Sequence, residues 1–148
     1  MNPNHSLQAT KKSWLLVFSI LVFSIGFYGF LAGIIERFGT RAANSDLAAR
    51  PFFVAFAVIA LIASLVWLRF RIDGKIGGEG RQKLLSPEQF QTDSIVALAL
   101  AEACSTFGLA LFFMGAPISD FAFFAFGTLF VDFAFILPRG IQFWATQK

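Results

Sequence analysis

Charge is what this chain has least of: 14% of its 148 residues are Asp, Glu, Lys or Arg, against about 25% in soluble domains. With 57% hydrophobic and 17% aromatic residues, that scarcity excludes an ordinary soluble domain and most soluble enzymes. Cysteine is nearly absent. Cys104 is the only one, so the chain forms no intrachain disulfide and offers no cysteine-based metal site. The single histidine, His5, belongs to a polar N-terminal stretch, which leaves no imidazole in the apolar segments to ligate a haem or chlorophyll metal. No His cluster, Cys pair or nucleophile constellation stands out, and no catalytic activity is expected. The net charge of +3 comes from Lys and Arg that flank apolar runs rather than form a patch, so no nucleic-acid partner is expected either.

Apolar length is what the sequence has in abundance. Four runs, at approximately 14–35, 51–68, 95–114 and 120–137, are each long enough to cross a bilayer as a helix. The expected fold class is therefore all-α: a polytopic membrane protein with four transmembrane helices, residues 1–148 forming a single membrane domain. The first run exceeds the hydrophobic core of about 7 to 15 residues typical of a signal peptide. No small-x-small cleavage site follows before Glu36 and Arg37, so the helix is expected to be retained. Pro51 suits the first turn of the second helix, and Thr92, Asp93 and Ser94 are candidate N-caps for the third. Gly115, Ala116 and Pro117 read as a short turn, and Pro138 with Arg139 is expected to stop the fourth helix.

The cations predict an orientation. Nine of the 12 Lys and Arg residues fall on the N-terminal tail, the loop 69–93 and the C-terminal tail, and three (Arg37, Arg41, Arg50) on the opposite side. The positive-inside rule then gives N-in/C-in with loop 69–93 cytoplasmic. Trp14, Trp67 and Trp144 fall at the same helix ends, where an indole favours the membrane interface. The expected location is a bacterial cytoplasmic (inner) membrane. The loop carries Asp73-Gly74-Lys75-Ile76-Gly77-Gly78-Glu79-Gly80-Arg81. It has the glycines and lysine of a phosphate-binding loop, but no strand precedes it and no Ser or Thr follows the lysine, so it reads as a turn.

Three sets of residues are candidates for function. Ser19, Gly26, Gly29 and Gly33 lie along one face of the first helix, with Gly29 and Gly33 in small-xxx-small spacing. Such a face packs closely either on a partner or within the bundle. Of the 21 phenylalanines, Phe121, Phe123, Phe124, Phe126, Phe130, Phe133 and Phe135 crowd the fourth helix and point nearly all round it. Some must meet lipid, another subunit, or a flat hydrophobic cofactor such as a carotenoid or quinone. No ligand motif identifies a cofactor.

The third set is acidic. Glu102 and Asp132 lie inside the third and fourth runs, and no Lys or Arg occurs within any of the four. An ion near a helix centre costs about 2.5–3.5 kcal/mol on insertion scales, so each acid should face the interior, find a partner or stay protonated. At 1.5 Å per residue, Glu102 lies about 12 Å from Ser94 and Asp132 about 9 Å from Pro138, so antiparallel neighbours bring them to similar depth. A pair in contact holds a proton and can relay it. Alternatively each acid simply hydrogen-bonds Ser105, Thr106 or Thr128 on the same helix faces.

The segment Ala97-Leu98-Ala99-Leu100-Ala101-Glu102-Ala103-Cys104-Ser105-Thr106-Phe107-Gly108-Leu109-Ala110-Leu111 resembles the carboxylate-bearing outer helix of ATP synthase rotor-ring c subunits, the proteolipids. There an acid is followed six residues later by Gly-Leu with an aromatic before the glycine, as Phe107-Gly108-Leu109 stand here. The resemblance implies that Glu102 is an ion-carrying carboxylate, with Ser105 or Thr106 beside its ion. The loop 69–93 is longer than that family's polar turn, and the second helix lacks its glycine repeat. Two functions are expected from these features. The first is a non-catalytic accessory or structural subunit of a larger membrane complex of the respiratory or photosynthetic kind, in contact with lipids and other membrane subunits. The alternative is a proton- or cation-handling membrane protein related to rotor-ring proteolipids and using Glu102.

Overall fold

The computed structural model describes residues 3–39, 48–73 and 85–147. Within them the chain is all-helical: α1 (Pro3–Phe38), α2 (Arg50–Leu68), α3 (Pro87–Phe113), α4 (Ile118–Val131) and α5 (Leu137–Thr146). A π-helical turn at Arg69–Asp73 prolongs α2, and another at Asp132–Ile136 joins α4 to α5. Four continuous helices, Leu7–Phe38, Arg50–Asp73, Pro87–Phe113 and Ile118–Thr146, are long and apolar enough to cross a membrane. The glycine- and lysine-bearing stretch 74–81 and Arg41 lie outside the described residues.

The helices run beyond the apolar segments that announce them. α3 starts at Pro87 rather than near residue 95, because Ser86 caps it. The Ser86 hydroxyl accepts from Gln89 N (3.2 Å), and the Gln89 side chain accepts from Ser86 N (3.5 Å). This reciprocal box satisfies two otherwise orphaned amides. Thr92, Asp93 and Ser94 are therefore interior to the helix and do not cap it. Residues 69–73 and 87–93 of the expected loop are likewise helical.

Pro138 does not end the fourth helix. Proline removes a helical N–H and crowds the preceding turn, but the wider π turn just before it absorbs the misfit. Leu137 N bonds to Asp132 O, five residues back, and helix resumes with Pro138 in its first turn, where no donor is required. The turn between α3 and α4 does follow the sequence reading. Gly115 takes φ 106°, a left-handed conformation suited to glycine. Gly115 N and Ala116 N close back onto Phe112 O and Leu111 O in a Schellman-type cap.

α3 is the centre of the bundle and packs most extensively on α2, then on α4 and α1, while α1 and α2 scarcely touch each other. Its composition explains the placement. Ala97, Ala101, Cys104, Ser105 and Gly108 are buried on α3, small side chains that let three helices approach one. A Cβ on Gly108 would meet Phe124 Cβ at 2.7 Å, so α4 crosses there with no room to spare. The flanking helices are mostly uncovered: 17% and 22% of the most apolar windows of α1 and α2 are buried, against 44% and 39% in the other two.

Both chain ends meet at one end of the bundle. Trp14, Phe90, Phe143 and Trp144 form an aromatic cluster there, with Phe90 and Phe143 stacked at 4.0 Å between centroids. Two of the three tryptophans at these helix ends turn into the bundle rather than outward. Trp14 is 1% and Trp144 6% exposed, because they tie α1 and α5 to the start of α3. Trp14 Nε1 donates to Ser94 Oγ (2.8 Å). Trp67 is half-buried and donates to Asp93 O (3.0 Å). Arg139 joins Asp73 through two hydrogen bonds, which clamps the π turn after α2 onto α5.

Candidate functional site

Two acids from separate helices lie in the interior of the bundle or at its edge. Glu102 sits midway along α3, and Asp132 opens the π turn after α4. Thr128 Oγ1 reaches Ala101 O and Cys104 Sγ reaches Phe124 O across the two antiparallel helices, so Asp132 lies about one helical turn from the level of Glu102. Asp132 is 1% exposed and Glu102 half-buried. Asp132 Oδ1 and Glu102 Oε2 are both buried and receive no hydrogen bond. Most buried polar atoms in folded proteins find a partner, and these two carboxyl oxygens share their lack of one with Asp120 Oδ2 and Trp144 Nε1 among the described residues.

A third helix completes the site. Ser24 of α1 donates its hydroxyl to Glu102 Oε1 at 2.5 Å. Sequence reasoning passed over Ser24. The signal was available, because counting about 1.5 Å per residue inward from Trp14 places Ser24 at about the depth of Glu102. The hydroxyls that were expected to serve the acids do other work. Ser105 Oγ and Thr106 Oγ1 donate to the main-chain carbonyl of Glu102 (2.9 and 3.1 Å). Thr128 Oγ1 bonds Ala101 O and Phe124 O (3.0 and 3.2 Å). These hydroxyls lie on the expected faces, but their protons go to backbone acceptors, the usual fate of Ser and Thr inside helices.

Among the described residues, no three or more His, Cys, Asp or Glu side chains converge. The pair thus has no further acidic or imidazole ligand, and what it offers is two carboxyl oxygens in apolar surroundings. Leu98, Ala101, Val131 and Ile136, all on the same two helices as the acids, are buried in one apolar cluster.

The small-residue face of α1 divides. Gly29 lies against Phe121, where an added Cβ would be 3.6 Å from the ring, while a Cβ on Gly26 or Gly33 would meet nothing within 4 Å. Ser19 is exposed. Close packing within the bundle therefore uses Gly29 and the small residues of α3, and leaves Ser19, Gly26 and Gly33 uncovered. On the fourth helix, Phe121 and Phe124 point inward at 4% exposure, whereas Phe123, Phe126, Phe130 and Phe133 point outward.

No protein-family model, curated protein or solved structure matches this chain. Fold and site together define a class: among the described residues, an all-helical bundle with four helices of membrane-spanning length and apolarity, with one buried and one half-buried acid on adjoining helices.

Proposed function

We propose that this protein binds and releases a proton inside the membrane at the paired carboxyls of Glu102 and Asp132. The observation that carries the reading is the unpartnered Asp132 Oδ1, on a side chain 1% exposed, with a second acid on the adjoining helix α3 that has the same deficit. An acid kept for architecture would be expected to commit its buried oxygens to donors. Ionising both acids would leave two uncompensated charges among apolar side chains, so at least one proton resides on the pair, and its exchange is the chemistry on offer. Ser24 fixes Glu102 through Oε1 and leaves Oε2 for the proton. In this reading both termini and the segment 74–86 face the cytoplasm of a bacterial inner membrane, as the distribution of cations favours. The likeness of residues 97–111 to the proteolipid outer helix supports Glu102 as the primary carrier.

The test is proton flux in proteoliposomes under an imposed pH gradient, followed with an entrapped pH-sensitive dye. Wild-type protein is expected to dissipate the gradient, and Glu102→Gln and Asp132→Asn, which keep side-chain shape, are expected to abolish the flux. Normal flux through correctly folded Glu102→Gln would sink the proposal.

One observation favours a second reading, a non-catalytic accessory subunit of a larger bioenergetic complex. Ser19, Gly26 and Gly33 form a face that the bundle leaves open, and such faces suit close helix packing. Native mass spectrometry after gentle extraction decides it. Fixed stoichiometry with larger subunits would support the reading, and a chain found only with lipid would end it.

A further inference from the structure

A separate, largely apolar cleft with one ion pair in its wall lies at the end of the bundle away from the aromatic cluster, between the first turns of α2 and α4. It has a volume of about 320 Å³ and is lined by Arg50, Val54, Ser119, Asp120, Phe123 and Phe124. Arg50 Nη2 donates to Asp120 Oδ1 at 2.8 Å. The arginine side chain is 50% exposed and the aspartate 13%, so the guanidinium covers a carboxylate that is itself largely enclosed. Asp120 Oδ2 receives no hydrogen bond. Position in the first turn of α4 explains an acid here through the helix dipole, but explains neither the cleft nor the unmet oxygen. Immediately beside the ion pair the lining turns apolar, with Phe123 75% and Val54 38% exposed.

We infer that this cleft binds the head group of a glycerophospholipid bearing a primary ammonium. The occupant is identified by charge complementarity. The cleft presents one cation and one anion side by side, with an exposed apolar rail leading away from them. A lipid with phosphate and ammonium a few atoms apart on one head, and an acyl chain below, matches all three. Arg50 takes the phosphate through the N–H groups not engaged with Asp120, as guanidinium groups do. Asp120 Oδ1, a carboxylate oxygen able to accept more than one N–H, takes the ammonium beside Arg50, while Oδ2 stays buried. A choline head carries the same charge but has no N–H to donate, and a glycerol head lacks the cation. The site therefore discriminates by hydrogen bonding and not by charge alone. The inference rests on the helices crossing a membrane and is independent of proton chemistry at Glu102.

The test uses the full-length protein in nanodiscs containing equal amounts of phosphatidylethanolamine, phosphatidylcholine and phosphatidylglycerol with the same acyl chains. Lipid retained on release is counted by native mass spectrometry. Wild type is expected to keep the ethanolamine lipid about tenfold over the choline lipid, the factor that one charge-assisted hydrogen bond confers. Asp120→Asn is expected to erase that preference. Val54→Trp, which fills the apolar rail without touching the ion pair, is expected to lower retention of the ethanolamine lipid and provides a second route if Asp120→Asn folds poorly. Equal retention of ethanolamine and choline lipids by wild type would overturn the inference, as would dominance of the glycerol lipid, which would mark a site for phosphate alone. Failure here would leave the flux result untouched, and the reverse also holds.

Discussion

Gly108 and Gly140 occupy the tightest points of the bundle, and Gly26 and Gly33 occupy open ones, although all four read alike in the sequence. A methyl on Gly108 would press on Phe124, and one on Gly140 would overlap the Trp14 indole. Gly108→Ala and Gly140→Ala are therefore expected to destabilise the purified protein by about 1–3 kcal/mol, the usual penalty of overpacking. Gly26→Ala and Gly33→Ala, with nothing within 4 Å, should leave stability unchanged or raise it by up to about 1 kcal/mol, since alanine is the better helix former. Thermal denaturation in detergent checks the contrast. Spacing alone could not separate these glycines, because a period places a residue on a face without saying which neighbour that face meets. For the acids counting came within about one turn, since Thr128 and not Asp132 faces Ala101, and Ser24 escaped it because the count was not extended to the first helix.

At the scale of elements, the four apolar runs were legible and their ends were not. Hydropathy marks where side chains stop being apolar, whereas a helix ends where its backbone hydrogen bonds end, and α3 gains two turns beyond its apolar run from the box at Ser86. Ser86→Ala removes the acceptor for Gln89 N and is expected to cost about 1 kcal/mol. Hydrogen exchange should rise in the first turn of α3 and stay unchanged at its centre near Glu102. Uniform loosening of α3 would show that the cap acts on the whole helix. The π turn at Asp132–Ile136 had no legible signature beyond Pro138, whose usual meaning is termination. Local geometry overrode it, because the α5 segment is anchored independently by Phe143 and Trp144 in the aromatic cluster and by Arg139 on Asp73.

At the scale of the whole molecule, α3 gathers the other helices, so Glu102 on α3 meets Ser24 of α1 while the fourth helix that carries Asp132 packs alongside. The flanking helices α1 and α2 present broad apolar surfaces outward, which composition foretold, since so many phenylalanines could not all turn inward. What composition could not reveal is the division of labour along the bundle. The termini end is locked by aromatic rings and ion pairs, the middle holds two acids with unpartnered oxygens, and the far end carries the Arg50–Asp120 cleft.

The central claim is that a proton resides on Glu102 and Asp132 at neutral pH, and infrared spectroscopy of the protein in lipid reads it directly. A carbonyl-stretch band of protonated carboxyl is expected at neutral pH, lost or shifted in both Asp132→Asn and Glu102→Gln. A wild-type spectrum with no such band, showing only ionised carboxylates, would contradict it.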